Sequence, residues 1–207
     1  IATGTGSDPV LYNARRYIGT GANRSITGFE FQPDFIYIRD RAAVHGLIYD
    51  SVRGVGNFFR PDTDGANDTS LSTGVTKIGK DGFTVGTAGN HNGNNAKFIA
   101  WGWKAGGTPN GALGTIDANN PIGAGTISDT GGSTNITQSV NQTSGFSITK
   151  FTGLAAGSTI PHNLGATPAV IIMKGYGASG FGMWHQNLQA TSQYYIAMDE
   201  SGGQVSQ

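Results

Sequence analysis

The sequence predicts an all-β protein built from β-sandwich or jelly-roll-like modules, repeated, with the second copy incomplete. Glycine accounts for 34 of the 207 residues and charged residues for only 13%, which is typical of turn-rich β proteins. Short apolar runs are separated by clusters of Gly, Asn, Asp and Ser that favour turns. No stretch keeps a helical apolar period for three turns without a glycine, so we expect little helix.

Eight segments have the alternation, or the β-branched and aromatic content, that is typical of strands. In chain order they are residues 29–32, 34–39, 47–49, 82–85, 98–103, 145–151, 169–174 and 194–198. Their short length and the frequent turns between them favour a sandwich or jelly roll.

A pattern of apolar and proline residues occurs twice in the chain. The offset is 135 residues between 33–39 and 168–174, and it is the same between Tyr49 and Trp184. Order and spacing both hold over about 45 residues, which favours an internal repeat over a chance similarity of glycine-rich sequence.

The repeat divides the chain into three parts. We expect a first β-sandwich module over 1–107, a connection rich in Gly, Asn and Thr over 108–143 that has room for one strand, and a related partial module over 144–207. The partial module lacks counterparts of 81–85 and 101–104. This predicts a longer parent chain, or a partner subunit that supplies the missing strands.

Charge and cysteine content exclude several classes of protein. The net charge is +0 and no basic run is present, which argues against nucleic-acid binding because phosphate contacts supply most of that affinity. The absence of cysteine excludes a disulfide framework and any thiolate site. No apolar run approaches the roughly 18 residues that a membrane span needs.

Aromatic side chains are the main candidates for ligand contacts, since the flat apolar face of a pyranose suits an aromatic plane. Trp101 and Trp103 lie on the same face of one strand, because side chains at i and i+2 point the same way. The alternative is that both pack in the core. The residues predicted to contact glycan are Tyr49, Trp101, Trp103, Tyr176, Phe181, Trp184 and His91.

An acidic segment is the candidate metal site. Asp62, Asp64 and Asp68 alternate around a glycine, and hard cations such as calcium take several oxygen ligands. The segment is not an EF-hand, because Ser72 and Thr73 lie where that loop has its glutamate. A solvated turn is the alternative.

Asp50 and Arg53 flank a turn after a predicted strand. They could clamp a polar ligand, or Asp50 could accept backbone N–H bonds and pair with Arg53 before Gly54 takes a positive φ. His185 replaces Asp50 in the second copy, which favours the structural interpretation.

Catalytic patterns are missing from the sequence. The four histidines have no metal-ligand spacing, and Ser51 has no Gly-x-Ser-x-Gly setting. The glycine-rich strings lack the strand-turn-helix context of a phosphate loop. We therefore predict a protein that is not an enzyme, with no catalytic residues and no cofactor other than the candidate calcium.

Several strings resemble a tandem domain of predicted tail-fibre and virion proteins of tailed bacteriophages. The similarity covers roughly 17–195, and the strings that carry it are 25–29, 33–38, 50–54, 81–85, 100–107 and 144–148. These motifs are structural, so the resemblance implies a location and a role but no reaction. The second copy departs from the pattern by losing the string at 50–54.

The resemblance and the repeat together give the leading hypothesis, a structural component of a phage virion. We expect a tail fibre or similar appendage, located in the virion and extracellular, that forms a homo-oligomer, contacts other virion proteins and binds host-surface glycan. One alternative is a secreted carbohydrate-binding module or glycan-degrading enzyme. The other is a capsid decoration protein or a surface-filament subunit.

Overall fold

The structure, a computed structural model, describes residues 9–42, 45–63, 65–66, 71–128, 136–188, 194–199 and 204–206. Over these residues the chain forms fourteen strands and one four-residue helix, which confirms the predicted all-β fold. In chain order the elements are β1 (Tyr12–Ile18), β2 (Arg24–Thr27), β3 (Phe35–Asp40), β4 (Gly46–Asp50), β5 (Val75–Gly79), β6 (Gly82–Val85), α1 (Gly89–Asn92), β7 (Lys97–Trp103), β8 (Ile122–Ile127), β9 (Ile136–Asn141), β10 (Phe146–Phe151), β11 (Val170–Lys174), β12 (Phe181–His185), β13 (Tyr194–Ala197) and β14 (Gln204–Ser206).

The first seven strands form a β-sandwich. Sheet A has the strand order β1-β7-β3-β4 and sheet B the order β2-β6-β5, with every neighbouring pair antiparallel. One hydrophobic cluster takes Ile36 and Ile38 from sheet A and Ile26, Phe83 and Val85 from sheet B. Each of these side chains stabilises the fold by about 1.5–3 kcal/mol relative to leaving it in water.

Strand β7 shows how alternation sorts side chains between the two faces of sheet A. Phe98, Ala100 and Gly102 are buried and face the core, while Trp101 and Trp103 point to the outer face and are half-buried. A Cβ on Gly102 would lie 2.7 Å from a ring carbon of Phe29, so only glycine fits there. The small residues that alternate with the tryptophans, Ala100 and Gly102, therefore belong to the core side.

The segment 29–32 does not form the predicted strand. Glu30 has a φ of 70°, outside the extended region, and the Asp81 carboxylate accepts the backbone N–H groups of Gly28 and Glu30 at 3.0 and 2.7 Å. The alternation nevertheless indicates burial correctly, since Phe29 and Phe31 are both in the core.

The chain enters and leaves the sandwich at neighbouring positions. Tyr12, at the start of β1, is the cross-strand partner of Trp103, at the end of β7. One residue further out, the Lys104 N–H donates to the Leu11 carbonyl at 2.9 Å.

Sheet C has the order β10-β9-β8 and changes the predicted division of the chain. The segment 108–143 contributes two strands, and β10, which we placed in the second module, pairs with β9 instead. Sheet C is attached to the sandwich through the loop after β7. The Gly106 N–H donates to Ser139 Oγ at 2.9 Å, and a Cβ on Gly106 would lie 1.9 Å from the carbonyl oxygen of Gly123.

Sheet D has the order β11-β12-β13-β14. Its first hairpin pairs Ile171 with Trp184, 135 residues after the pair Ile36 and Tyr49 in the hairpin β3–β4. All five pairs of β11 and β12 keep this offset. Repetition of the whole module stays a prediction, since within the described residues sheet D has no strand in the position of β7.

No helix in the described part of the chain is long and apolar enough to cross a membrane.

Candidate functional site

The outer face of sheet A carries two rows of aromatic side chains, which we call the aromatic face. Tyr12, Trp103 and Phe35 are cross-strand neighbours on β1, β7 and β3 and form the first row. Trp101 and Tyr37 are cross-strand neighbours and form the second. The alternation of each strand places all five rings on the side opposite the core.

The rings of the second row are nearly parallel. Tyr37 and Trp101 have ring centroids 5.3 Å apart and an angle of 18° between their planes. The Tyr37 ring lies directly over Gly46 of β4, where a Cβ would be 2.3 Å from the tyrosine hydroxyl oxygen. Glycine at position 46 therefore lets this ring lie down along the sheet.

The first row is partly covered by sheet C. Phe146 of β10 lies 5.8 Å from Phe35 and stacks over Trp103 with centroids 6.5 Å apart and an angle of 19°. Tyr12 stays 49% exposed, with its ring 5.0 Å from that of Trp103. The accessible part of the aromatic face thus consists of Tyr12 and the second row.

Basic side chains border the second row. Arg16 and Arg39 are the cross-strand partners of Ile99, and Arg16 is exposed. Arg39 is held by Asp62, with Nη1 4.0 Å from the carboxylate oxygen. A guanidinium presents several N–H donors, so this border can donate hydrogen bonds to hydroxyl or carboxylate oxygens of a ligand that lies on the rings.

An open cleft of about 360 Å³ lies beyond the arginines, where β3 ends and β7 begins. Its lining residues are Asp40, Arg41, Ala42, Asn95, Ala96 and Lys97. The lining therefore carries both positively and negatively charged side chains.

The structure places the seven predicted glycan contacts in different environments. Trp101 and Trp103 lie on the aromatic face, while Trp184 is half-buried on β12 and Tyr176 is 45% exposed in the loop after β11. The structure brings only the first two together. The prediction is wrong for the other three, Tyr49, His91 and Phe181, whose side chains are at most 3% exposed and belong to packed interiors.

His91 lies in a buried polar cluster. Its Nε2 forms a short hydrogen bond with the Tyr49 hydroxyl, and the Tyr17 hydroxyl donates to the His91 carbonyl at 2.6 Å. Burial lowers the pKa of His91 to about 4 and raises the pKa of Tyr17. These groups stay neutral at pH 7. Their hydrogen bonds connect helix α1 to both edge strands of sheet A, β1 and β4.

Asp34 is a second buried polar group. Its Oδ2 accepts the N–H groups of Ala105 and Gly107 at 2.8 and 3.1 Å, and its Oδ1 accepts the Gln32 amide at 2.8 Å. Burial raises the pKa of its carboxyl group, against the lowering effect of these bonds. Asp34 fixes the loop that carries sheet C, which is a structural role.

Asp50 and Arg53 form the predicted turn. The Asp50 carboxylate accepts the Arg53 backbone N–H at 2.7 Å and its Nε at 2.5 Å, and Gly54 has a φ of 82°. Both side chains are about 5% exposed, and the guanidinium lies 4.0 Å from the ring centroid of Phe59. The structural interpretation of this turn is confirmed.

The candidate calcium segment is described only in part. Asp62 pairs with His45 at 3.1 Å and with Arg39, while Asp64 and Asp68 lie outside the described residues. No cluster of three or more potential metal-ligating His, Cys, Asp or Glu side chains occurs among the described residues.

Tyr12, Phe35 and Tyr37 are the members of the aromatic face that the sequence analysis missed. Alternation in β7 places Ala100 and Gly102 on one face and the tryptophans on the other, and the contact of Gly102 with Phe29 shows which face is the core. Once the tryptophans are assigned to the outer side, their partners on β1 and β3 follow from the register.

Comparison with known proteins gives a family and no function. No curated protein and no solved structure matches the chain. The family model described as a domain of unknown function, DUF7483, matches residues 8–207. Because this match spans nearly the whole sequence, the chain belongs to the DUF7483 family.

Proposed function

We propose that the protein is a non-enzymatic component of a phage virion, a tail fibre or similar appendage, that attaches to host-surface glycan through the aromatic face. The observation that carries the attachment role is the second row, in which Trp101 and Tyr37 stack beside exposed Tyr12. A contiguous group of aromatic rings on the outer face of a sheet usually marks an interaction site, because exposing that much apolar surface to water is unfavourable.

Carbohydrate suits this surface for two physical reasons. The C–H face of a pyranose stacks on an aromatic plane, and burying it removes apolar area from water at about 25 cal/mol per Å². Arg16 and Arg39 can donate hydrogen bonds to the ring hydroxyls or carboxylates of the same sugar. A repeated, low-affinity contact of this kind becomes strong when many copies bind one surface.

The virion location rests on the resemblance to tandem domains of tail-fibre and virion proteins. That resemblance is carried by segments that build sheets A and B, such as 33–38 and 81–85. A homo-oligomeric appendage would present the aromatic face in several copies, and burial between copies would offset the lack of disulfides.

Glycan-array binding tests the attachment role. The wild-type chain should bind a subset of neutral or acidic glycans without releasing free sugar, and Trp101→Ala should lose most of that signal. Phe151→Ala removes an aromatic side chain that is 46% exposed on β10, away from the aromatic face, and is the matched control. Circular dichroism on both variants checks that the fold is intact.

Tryptophan fluorescence gives a second measurement at the same site. Trp184→Phe leaves Trp101 and Trp103 as the only indoles of the chain, so a spectral shift on adding a bound glycan would come from the aromatic face. Equal binding by Trp101→Ala and wild type would reject this face as the glycan site. Released sugar would reject the non-enzymatic role.

The appendage role is tested by sedimentation and by negative-stain images. Elongated homo-oligomers are the expected result, and a strict monomer that binds no glycan would contradict the proposal. If Trp101→Ala dissociates the oligomer and leaves glycan binding unchanged, the aromatic face is an assembly surface and the attachment role is wrong.

A further inference from the structure

The hairpins β3–β4 and β11–β12 agree in backbone hydrogen bonding as well as in register. At the open end of the hairpin β3–β4, where Asp34 precedes β3 and Ser51 follows β4, the Ser51 N–H donates to the Asp34 carbonyl at 2.8 Å. The Gln186 N–H donates to the Ala169 carbonyl at 2.9 Å, at the same two positions 135 residues later. The hairpins β3–β4 and β11–β12 therefore have the same hydrogen-bonding phase as well as the same register.

The two hairpins differ in what lies beyond their first strand. The outer edge of β3 pairs with β7 over six residue pairs. No strand of the described chain pairs with the outer edge of β11, and its apolar residues are exposed by 41–53%: Val170, Ile171, Ile172 and Met173. The counterparts of Ile171 and Met173 in β3, Ile36 and Ile38, are completely buried.

The hydrogen-bonding phase shows which backbone groups face this open edge. In an antiparallel pair, residues alternate between exchanging both backbone bonds with the partner and pointing them away. Ala169 bonds to the β12 side, so Ile171 and Met173 do as well, while Val170 and Ile172 turn their N–H and C=O groups to the open edge.

Edges of this kind are uncommon in stable proteins. An exposed edge strand is normally protected by an inward charge, a proline or a bulge, because its free groups template pairing with another chain. Strand β11 is regular over its five residues, and its lysine, Lys174, lies at the end and donates to the carbonyls of Gly175, Gly177 and Ser179.

We propose that the open edge of β11 binds an antiparallel strand of a partner polypeptide with the alternation found in β7. Small side chains of that strand would lie beside Ile171 and Met173, as Gly102 and Ala100 lie beside Ile36 and Ile38. Aromatic side chains would lie over Val170 and Ile172. The mode of binding is β-augmentation, in which backbone bonds give affinity and side-chain alternation gives specificity.

The basis for this partner is the chain's own first hairpin. There Trp103 and Trp101 lie beside Phe35 and Tyr37, with ring centroids 5.5 and 5.3 Å apart. The two hairpins agree in register and in hydrogen-bonding phase. A strand with the alternation of β7 would therefore find the backbone N–H and C=O groups of β11 in the same positions as those of β3. This inference does not depend on glycan binding, which uses a different sheet.

A labelled peptide of residues 95–105, which contains β7, is the probe. Fluorescence anisotropy with the full chain should show saturable binding of one peptide per chain. Ile172→Pro removes an N–H that faces the open edge and spares the bonds to β12, so it should weaken binding at least about tenfold. Ile172→Thr keeps the N–H and the branched side chain, so its affinity should stay within about threefold of wild type.

A second peptide tests the alternation. It exchanges the two tryptophans with the neighbouring alanine and glycine, so that composition is kept and the faces are inverted. This peptide should bind more weakly than the first, again by about tenfold. Equal binding of both peptides would show that apolar content alone is recognised, and would overturn the proposed chemistry.

Hydrogen exchange covers the case in which Ile172→Pro does not fold. On adding the first peptide to the wild-type chain, the amides of Val170 and Ile172 should gain protection, while that of Ile171 should change little. Absence of binding, or protection elsewhere only, would overturn the proposal. A concentration-dependent dimer would also overturn it, if Ile172→Pro abolishes the dimer and the peptide does not compete with it. The open edge of β11 would then pair with a second copy of the chain.

Discussion

His91 makes the stability of the sandwich depend on pH, and His91→Gln removes this dependence. The side chain is completely buried and its pKa falls from 6.5 to about 4 because burial disfavours the charged form. Glutamine is neutral at all pH values and keeps an acceptor for the Tyr49 hydroxyl, so the variant isolates the effect of protonation.

The sign and size follow from linkage. Below pH 6.5 an unfolded chain protonates this histidine and the folded protein does not, so the free energy of unfolding falls as the pH falls to about 4 and is then constant. At about 1.4 kcal/mol per pH unit, the loss is about 3 kcal/mol. Asp34, whose pKa burial raises, acts in the opposite direction, so the difference between wild type and variant is the quantity to measure.

The assay is urea unfolding followed by tryptophan fluorescence at pH 7 and at pH 4. Wild type should exceed His91→Gln in free energy of unfolding by about 3 kcal/mol more at pH 7 than at pH 4. His45→Gln, which makes the same substitution at a histidine that is about half exposed, is the matched control. A constant difference between wild type and His91→Gln across this range would refute the reasoning.

Three further substitutions test the packing. Gly102→Ala places a Cβ 2.7 Å from Phe29 and should cost about 1–3 kcal/mol in urea unfolding, whereas Gly114→Ala, with nothing within 4 Å, should be neutral; equal effects would contradict the close packing. Asp50→Ala removes one partner of a buried ion pair and should cost about 3–5 kcal/mol; a loss below about 1 kcal/mol would assign the pair no structural role. Asp34→Ala should speed amide exchange at Ala105 and Gly107, and unchanged rates would show that the loop is held by other contacts.

The strand patterns in the sequence were sufficient to predict β3, β4 and β7 of sheet A and the burial of Phe29 and Phe31, but they did not predict β1. They did not give the direction of Trp101 and Trp103, because two tryptophans at i and i+2 fit a core as well as an outer face. Gly102, which packs against Phe29, decides between them, and that contact is a property of the folded chain.

Strand β8 of sheet C and the position of His91 were not predicted, for a different reason. Strand β8, Ile122–Ile127, has glycine at two of its six positions, a composition typical of loops. It becomes a strand because it pairs with β9. His91 lies among asparagines and glycines that favour a solvated turn. Its burial depends on hydroxyl groups from Tyr17 and Tyr49, which are 74 and 42 residues away in the chain.

The closeness of Leu11 and Lys104 determines how the first sandwich responds to mechanical tension. A pulling force applied at these two points acts across β1 and β7, and it loads the backbone bond at Leu11, then the pair Tyr12 and Trp103, then each following pair in turn. This is an unzipping geometry, in which the force acts on one rung at a time and never shears the ladder as a whole. Tension at these two points would therefore open the sandwich one backbone pair at a time, beginning at this end.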